Sequence, residues 1–179
     1  MSDIKIYNDF LSDEEYSPIY QYFLDNERGL NGDSVPWYWV NGVTTMGDGN
    51  IQFISLGYGN YQITNMTMFS VLSPIIHKIK PIALHRVKAN LTLSKQLQPI
   101  DEEKIYHVDN DFCIENKGVM TTGIYYVNTN DGYTLFEDGT KVESVANRFV
   151  TFPCHIKHGG MPYNNDKFGR RIVVNFNWI

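Results

Sequence analysis

Apolar residues recur at helical spacing over much of the first 80 residues and at strand spacing beyond them. Tyr16, Ile19, Tyr20, Phe23 and Leu24 stand three and four apart, the stripe that one helix face turns toward a core. Ser12, with Glu15 three residues on, forms a capping-box pattern, so a helix is predicted from there to Asn26, after a short alternating strand at Ile4 to Tyr7. Met66, Phe69, Leu72, Ile76 and Ile79 predict a second helical segment over 65–79, which Pro74 kinks or restarts. Between the two, residues 29–62 hold seven glycines and the aromatic run Trp37-Tyr38-Trp39. This region reads as loop, interrupted by a possible strand at Ile51-Gln52-Phe53-Ile54.

After Pro81 the chain becomes a series of short β-type runs at 84–94, 104–108, 119–128, 133–136, 140–143, 148–152 and 171–178. Turn dipeptides separate them, among them Lys117-Gly118, Asp131-Gly132 and Asp138-Gly139. Such spacing predicts an α+β, mainly β architecture, a double-sheet sandwich or jelly roll with the N-terminal helices buttressing one sheet. One domain over 1–179 is expected, with 1–80 as helical support and loops and 81–179 as the β core.

Composition adds little to this but removes several alternatives. The chain has 179 residues, 42% hydrophobic and 20% charged, and the balance of an ordinary globular protein. A formal net charge of -5 without a Lys/Arg block argues against gripping a phosphate backbone, so no nucleic-acid partner is expected. The start lacks the basic and apolar regions of a signal peptide, and no apolar run is long enough to span a bilayer. Cys113 and Cys154 are too few for a disulfide scaffold and read as reduced thiols, which makes a cytoplasmic location the expectation.

Chemistry enters at His107-Val108-Asp109, where period-2 geometry places an imidazole and a carboxylate on one face of a strand end. One further His would complete a two-His-one-carboxylate triad with three open positions, the arrangement of non-heme Fe(II) oxygenases. Two candidates follow the strand at 148–152, His155 and His158. The last strand opens on Arg170-Arg171, and a guanidinium at the mouth of a closed sheet suits a carboxylate. Val173 and Asn175 share the face of Arg171 and are expected to line the same pocket.

Taken in order, His107-Val108-Asp109, then Phe152 to His158 followed by Gly159-Gly160, then Arg171 on the final strand resemble the 2-oxoglutarate and Fe(II)-dependent dioxygenase superfamily, prolyl-hydroxylase-like branch. Met120 to Asn128, with Tyr125-Tyr126-Val127-Asn128, resembles the strand after the His-x-Asp turn in the oxygen-sensing prolyl hydroxylases. The likeness covers roughly residues 84–178. It departs from the pattern in the long interval from His158 to Arg171, which predicts an extended hairpin at 164–167, and in lacking a tyrosine-bearing run before His107.

This resemblance implies a double-stranded β-helix of the cupin-like kind. It also implies Fe(II) held by His107, Asp109 and His158, the last chosen because it stands six residues after Phe152 and precedes two glycines. It further implies 2-oxoglutarate as cosubstrate bound by Arg171 and Tyr126; Asn175, from the face it shares with Arg171, and Asn90, from its place on the strand Val87 to Leu93, are further candidate contacts. The expected reaction consumes O2, releases succinate and CO2, and hydroxylates an unactivated C–H bond of a protein, peptide or small molecule, a peptidyl proline first among these. Trp37-Tyr38-Trp39 is expected either as a substrate loop or as a plug between helix and sheet. Two other classes fit the residues: a cupin-like metal protein that does not use 2-oxoglutarate, and a β-sandwich binding module in which His-x-Asp is incidental.

Overall fold

The computed structural model describes residues 3–24, 35–42, 51–96, 105–109, 112–115, 117–164 and 169–179. In chain order the elements are β1 (Lys5–Tyr7), α1 (Asp13–Leu24), β2 (Tyr38–Asn41), β3 (Ile51–Gly59), β4 (Gln62–Ile63), α2 (Met66–Val71), α3 (Ser73–Ile79) and β5 (Leu84–Thr92). They continue with α4 (Phe112–Glu115), β6 (Thr121–Tyr126), β7 (Tyr133–Phe136), β8 (Lys141–Glu143), β9 (Arg148–Pro153), β10 (His158–Met161) and β11 (Arg171–Trp178). An eight-stranded sheet runs β1-β9-β6-β11-β5-β3-β2, with β4 paired to β3, and a three-stranded sheet runs β10-β7-β8. Every ladder is antiparallel. Together the sheets form the expected mainly β jelly roll with helices against one side.

The alternation along β11 explains why the fold closes this way. Ile172, Val174 and Phe176 join Ile19 and Phe23 of α1 and Met68, Leu72 and Ile75 of the α2–α3 region in one apolar core. On the opposite face Val173 joins Ile124, Tyr126, Phe136, Val150 and Phe152 in a second core. Both faces of the large sheet are therefore covered, one by helices and one by the small sheet. The inward positions of β11, β5 and β6 align in rows: Arg171 with Thr92, Val173 with Asn90 and Tyr126, Asn175 with Lys88 and Ile124, Asn177 with Arg86 and Thr122.

Helix α1 starts as its sequence requires. Ser12 N–H donates to Glu15 Oε2 at 3.0 Å and Glu15 N–H donates to Ser12 Oγ at 3.4 Å, satisfying two otherwise unpaired donors. Its entry segment is pinned from across the fold by Asn147, whose backbone takes a left-handed φ of 59°. Leu11 N–H and the Tyr125 hydroxyl donate to Asn147 Oδ1, each at 3.0 Å, and Asn147 Nδ2 donates to Leu11 O at 2.8 Å. Asn147→Ala should cost about 2–4 kcal/mol in urea unfolding, because three buried bonds and a conformation that Ala disfavours go together.

Several elements differ from the sequence reading. The segment 65–79 is two helices, with Asn65 accepting from Met68 N–H as cap and the break falling at Leu72, just before Pro74. Within the predicted loop region the strand expected at 51–54 is present and runs on to Gly59 as β3, and β2 is added beside it in the large sheet. Strands 84–94 and 119–128 end earlier, at Thr92 and Tyr126, while β9 extends to Pro153. In place of a strand at 104–108, the described part holds one bridge, His107 to His158. The hairpin expected at 164–167 lies outside the described residues beyond Asn164. No helix among the described residues is long and apolar enough to cross a membrane.

The aromatic run divides. Trp37 packs on Phe23 with ring centroids 6.3 Å apart, within the helix-side core, whereas Tyr38 and Trp39 are 64% and 57% exposed on β2. Trp37 precedes β2 and packs toward the helices, whereas β2 ends the strand order of the large sheet and leaves Tyr38 and Trp39 exposed, so the run is neither wholly plug nor wholly loop.

Candidate active site

His107, Asp109 and His158 converge, their ligand-type atoms all within 4.8 Å of one another. The convergence is built by backbone. His107 N–H donates to His158 O and His158 N–H to His107 O, each at 3.0 Å, which ties the segment before α4 to β10. Gly159 makes the approach possible, since a Cβ there would lie 2.6 Å from the Ile105 side chain. The glycines after His158 thus admit a neighbouring segment, and β10 is a strand despite them.

Each imidazole is oriented by the chain. His107 Nδ1 lies 2.9 Å from Ile105 O and His158 Nδ1 lies 3.2 Å from Ile156 O, so a proton on Nδ1 meets a carbonyl and Nε2 keeps its lone pair. His158 Nε2 is buried without a hydrogen-bond partner. Burial, opposed by Asp109 and reinforced by His107, pushes the His158 imidazole down to about 4, leaving it neutral at physiological pH.

Asp109, which sits in a bend, is held by a polar layer from the large sheet. Arg86 Nη2 lies 2.8 Å from Asp109 Oδ1, and Arg86 Nε donates to Asn177 Oδ1 at 2.9 Å. Asn177 Nδ2 in turn donates to Asp109 Oδ2 at 2.9 Å, and Asn175 Nδ2 donates to Oδ1 at 3.3 Å. Burial alone raises this carboxyl, but Arg86, His158, Lys88 and Asn177 outweigh it and hold the group well below the usual carboxylate range.

These residues adjoin a cavity lined by His107 and His158 at one side and by Arg171, Thr134 and Gly160 at another. Asn90, Asn175, Val173, Lys88 and Gln52 complete its wall toward the large sheet. Arg171 is 2% exposed; its Nε donates to Ser144 Oγ at 2.9 Å and its Nη2 to Thr134 Oγ1 at 3.3 Å, so among the described residues its hydrogen-bond partners are neutral hydroxyls. Tyr126 lies under the guanidinium, ring centroid 5.8 Å away, and its hydroxyl donates to Thr134 Oγ1 at 2.7 Å. Thr134, rather than Tyr126, faces the cavity. Asn90 Oδ1, Thr92 Oγ1 and Asn175 Oδ1 are buried and unpartnered around the same space. Buried polar atoms are ordinarily satisfied, so this concentration marks a place for a polar ligand.

The other arginine and histidine lie elsewhere. Arg170 donates to the carbonyl of Leu24 at the end of α1, and His155 is outside the three-residue cluster. Arg86, Lys88, Thr122, Thr134, Ser144 and Asn177 were not singled out from sequence. Their signal was the polar half of the alternation on strands whose two faces are both covered. Mn(II) titration should show metal affinity falling by orders of magnitude in His158→Ala and nearly unchanged in His155→Ala. The reverse result would transfer the role to His155.

No protein-family model matches the chain, and no curated protein matches it. Solved structures do. A prolyl hydroxylase from Trichoplax adhaerens, in complex with a peptide of the hypoxia inducible factor oxygen degradation domain, is similar at TM-score 0.65 and 16% identity, over 99% of this chain and 83% of that one. A viral collagen prolyl hydroxylase from Paramecium Bursaria Chlorella virus-1, in complex with 2-oxoglutarate, is similar at TM-score 0.58 and 14% identity, over 98% and 96%. A non-heme α-ketoglutarate-dependent epimerase from nogalamycin biosynthesis is similar at TM-score 0.60 and 13% identity, over 99% and 78%. The fold is that of the 2-oxoglutarate- and Fe(II)-dependent oxygenases. Prolyl hydroxylases are among the structures that share it.

Proposed function

We propose that the protein is a 2-oxoglutarate- and Fe(II)-dependent dioxygenase that hydroxylates an unactivated C–H bond with release of succinate and CO2. The observation that carries this reading is one cavity with the His107, Asp109 and His158 cluster on one side and, on another, the buried guanidinium of Arg171, bonded among the described residues to hydroxyls. The donor set of two imidazole nitrogens and one carboxylate oxygen fits Fe(II), and the unpartnered Nε2 of His158 is where such an ion has a use. Bound iron would supply dioxygen activation coupled to oxidative decarboxylation of the keto acid.

The chain's own residues do the rest. His107, Asp109 and His158 hold the metal, and the carbonyls of Ile105 and Ile156 keep both rings turned with Nε2 inward. Arg171 pairs with the distal carboxylate of 2-oxoglutarate. Thr134 adds a hydroxyl, and Tyr126 fixes Thr134 from below. Asn90 and Asn175 offer unpaired carbonyl oxygens to orient ligand groups, while Ile105, Ile124 and Val173 keep that end of the cavity apolar and water-poor.

A peptidyl prolyl residue is the substrate best supported, through the likeness to prolyl hydroxylases, one of them in complex with a peptide. Exposed Tyr38 and Trp39 offer a contact surface for a chain of that kind. Anaerobic addition of Fe(II) and 2-oxoglutarate tests the class: a weak visible charge-transfer band, then succinate release on admitting O2, is the expected result. Metal binding without the band would point to a cupin-like protein that does not use 2-oxoglutarate, and absence of metal affinity to a binding module.

A further inference from the structure

We propose that Lys88 makes metal capture at this site depend on an anion, so that the protein binds a divalent metal weakly alone and strongly together with a 2-oxo dicarboxylate. The proposal rests on the reading of the site as a metal and 2-oxoglutarate centre. Three cationic side chains project to the interior from β5 and β11, Arg86, Lys88 and Arg171, whereas the ligand cluster contains a single carboxylate, Asp109. Arg86 is occupied by Asp109, and among the described residues Arg171 is hydrogen-bonded only to hydroxyls. Lys88 lines the cavity and makes no hydrogen bond or ion pair among the described residues.

A divalent ion arriving at such a centre meets one favourable charge and a surplus of like charge, where Coulomb interactions act over several ångströms at low effective dielectric. Lys88 is the cation best placed to oppose it. It pairs across the ladder with Asn175, whose side chain donates to Asp109, so it belongs to the layer of the ligand carboxylate. Arg171 stands four residues along the same strand, roughly 13 Å away by strand rise. A ligand with a carboxylate at each end meets a cation at each end, and its two negative charges remove most of the repulsion felt by the metal. Each ligand then raises the affinity of the other, as linkage requires.

Chelation of metal by any 2-oxo acid gives some coupling, so the decisive variant alters Lys88 alone. Calorimetric titration of Mn(II) into wild type, Lys88→Met and Lys88→Arg, each with and without saturating 2-oxoglutarate, separates the effects. Without 2-oxoglutarate, Lys88→Met should bind Mn(II) about tenfold tighter than wild type and Lys88→Arg about as weakly as wild type. With 2-oxoglutarate the advantage of Lys88→Met should vanish, so that its coupling factor is smaller. Lys88→Met binding Mn(II) no tighter than wild type would overturn the role of Lys88. Wild type that binds no Mn(II) in either condition would overturn the metal reading itself.

Discussion

Asp109→Ala is expected to abolish divalent metal binding and to destabilise the protein by about 3–5 kcal/mol. The first effect follows because the cluster loses its one carboxylate donor and keeps two imidazoles. The second follows from the partner left behind: Arg86, with a side chain 19% exposed, is paired to a carboxylate that is 2% exposed. Removing the carboxylate strands a guanidinium and the amides of Asn175 and Asn177. Asp109→Asn should retain more of the stability while still losing metal, since it preserves shape and a carbonyl acceptor. Mn(II) titration together with urea unfolding reads both quantities, and a folded Asp109→Ala protein with undiminished metal affinity would remove Asp109 from the site. The pH dependence has a definite sign. A carboxyl held below its ordinary range stabilises the native state above the unfolded-state value near 3.8, and that contribution is lost as pH falls below it.

Arg171→Ala should weaken 2-oxoglutarate binding by about 10–100-fold, the worth of a charge-assisted pair in a buried setting, while changing Mn(II) affinity in the absence of the keto acid far less. Arg170→Ala should leave 2-oxoglutarate binding alone, because that side chain is engaged with the Leu24 carbonyl. Equal losses in the two variants would mean that neither guanidinium has the assigned role. Gly132 has a part in the same feature: a Cβ there would lie 2.8 Å from Arg171 Cδ and 2.7 Å from Met161 O, so the turn leaves room for the arginine.

Strands β7 and β11 were legible from the chain, the second through its near-alternation of apolar and polar residues, and so was the start of α1, where capping is a local matter between Ser12 and Glu15. The sequence order of His107, Asp109, His158 and Arg171 was legible too, through spacing and resemblance. What alternation cannot distinguish is a polar residue facing water from one facing a polar interior. Arg86 and Lys88 stand in the polar half of such a pattern, and the small sheet packed over that side turns it inward. Glycine hid part of one strand and the whole of another. Gly57 and Gly59 made β3 beyond Ile54 look like loop, and Gly159 and Gly160 did the same for β10, since glycine is depleted in strands unless another backbone or side chain comes close. At Gly159 that neighbour is Ile105, which is distant in sequence and invisible to any local pattern.

His158 belongs to the three-stranded sheet, while Asp109 is gripped by Arg86, Asn175 and Asn177 of the eight-stranded one. An ion shared between them is a cross-brace that exists only once both sheets have formed and met, because the unfolded chain separates these groups by dozens of residues. Such an ion binds the native state and not the denatured one, so its chemical potential becomes part of the folding equilibrium. At a free concentration one hundred times its dissociation constant it adds about 2.7 kcal/mol to the unfolding free energy. The melting temperature of this protein should accordingly climb with added Mn(II) and fall again with a chelator, which makes its thermal stability a gauge of metal supply.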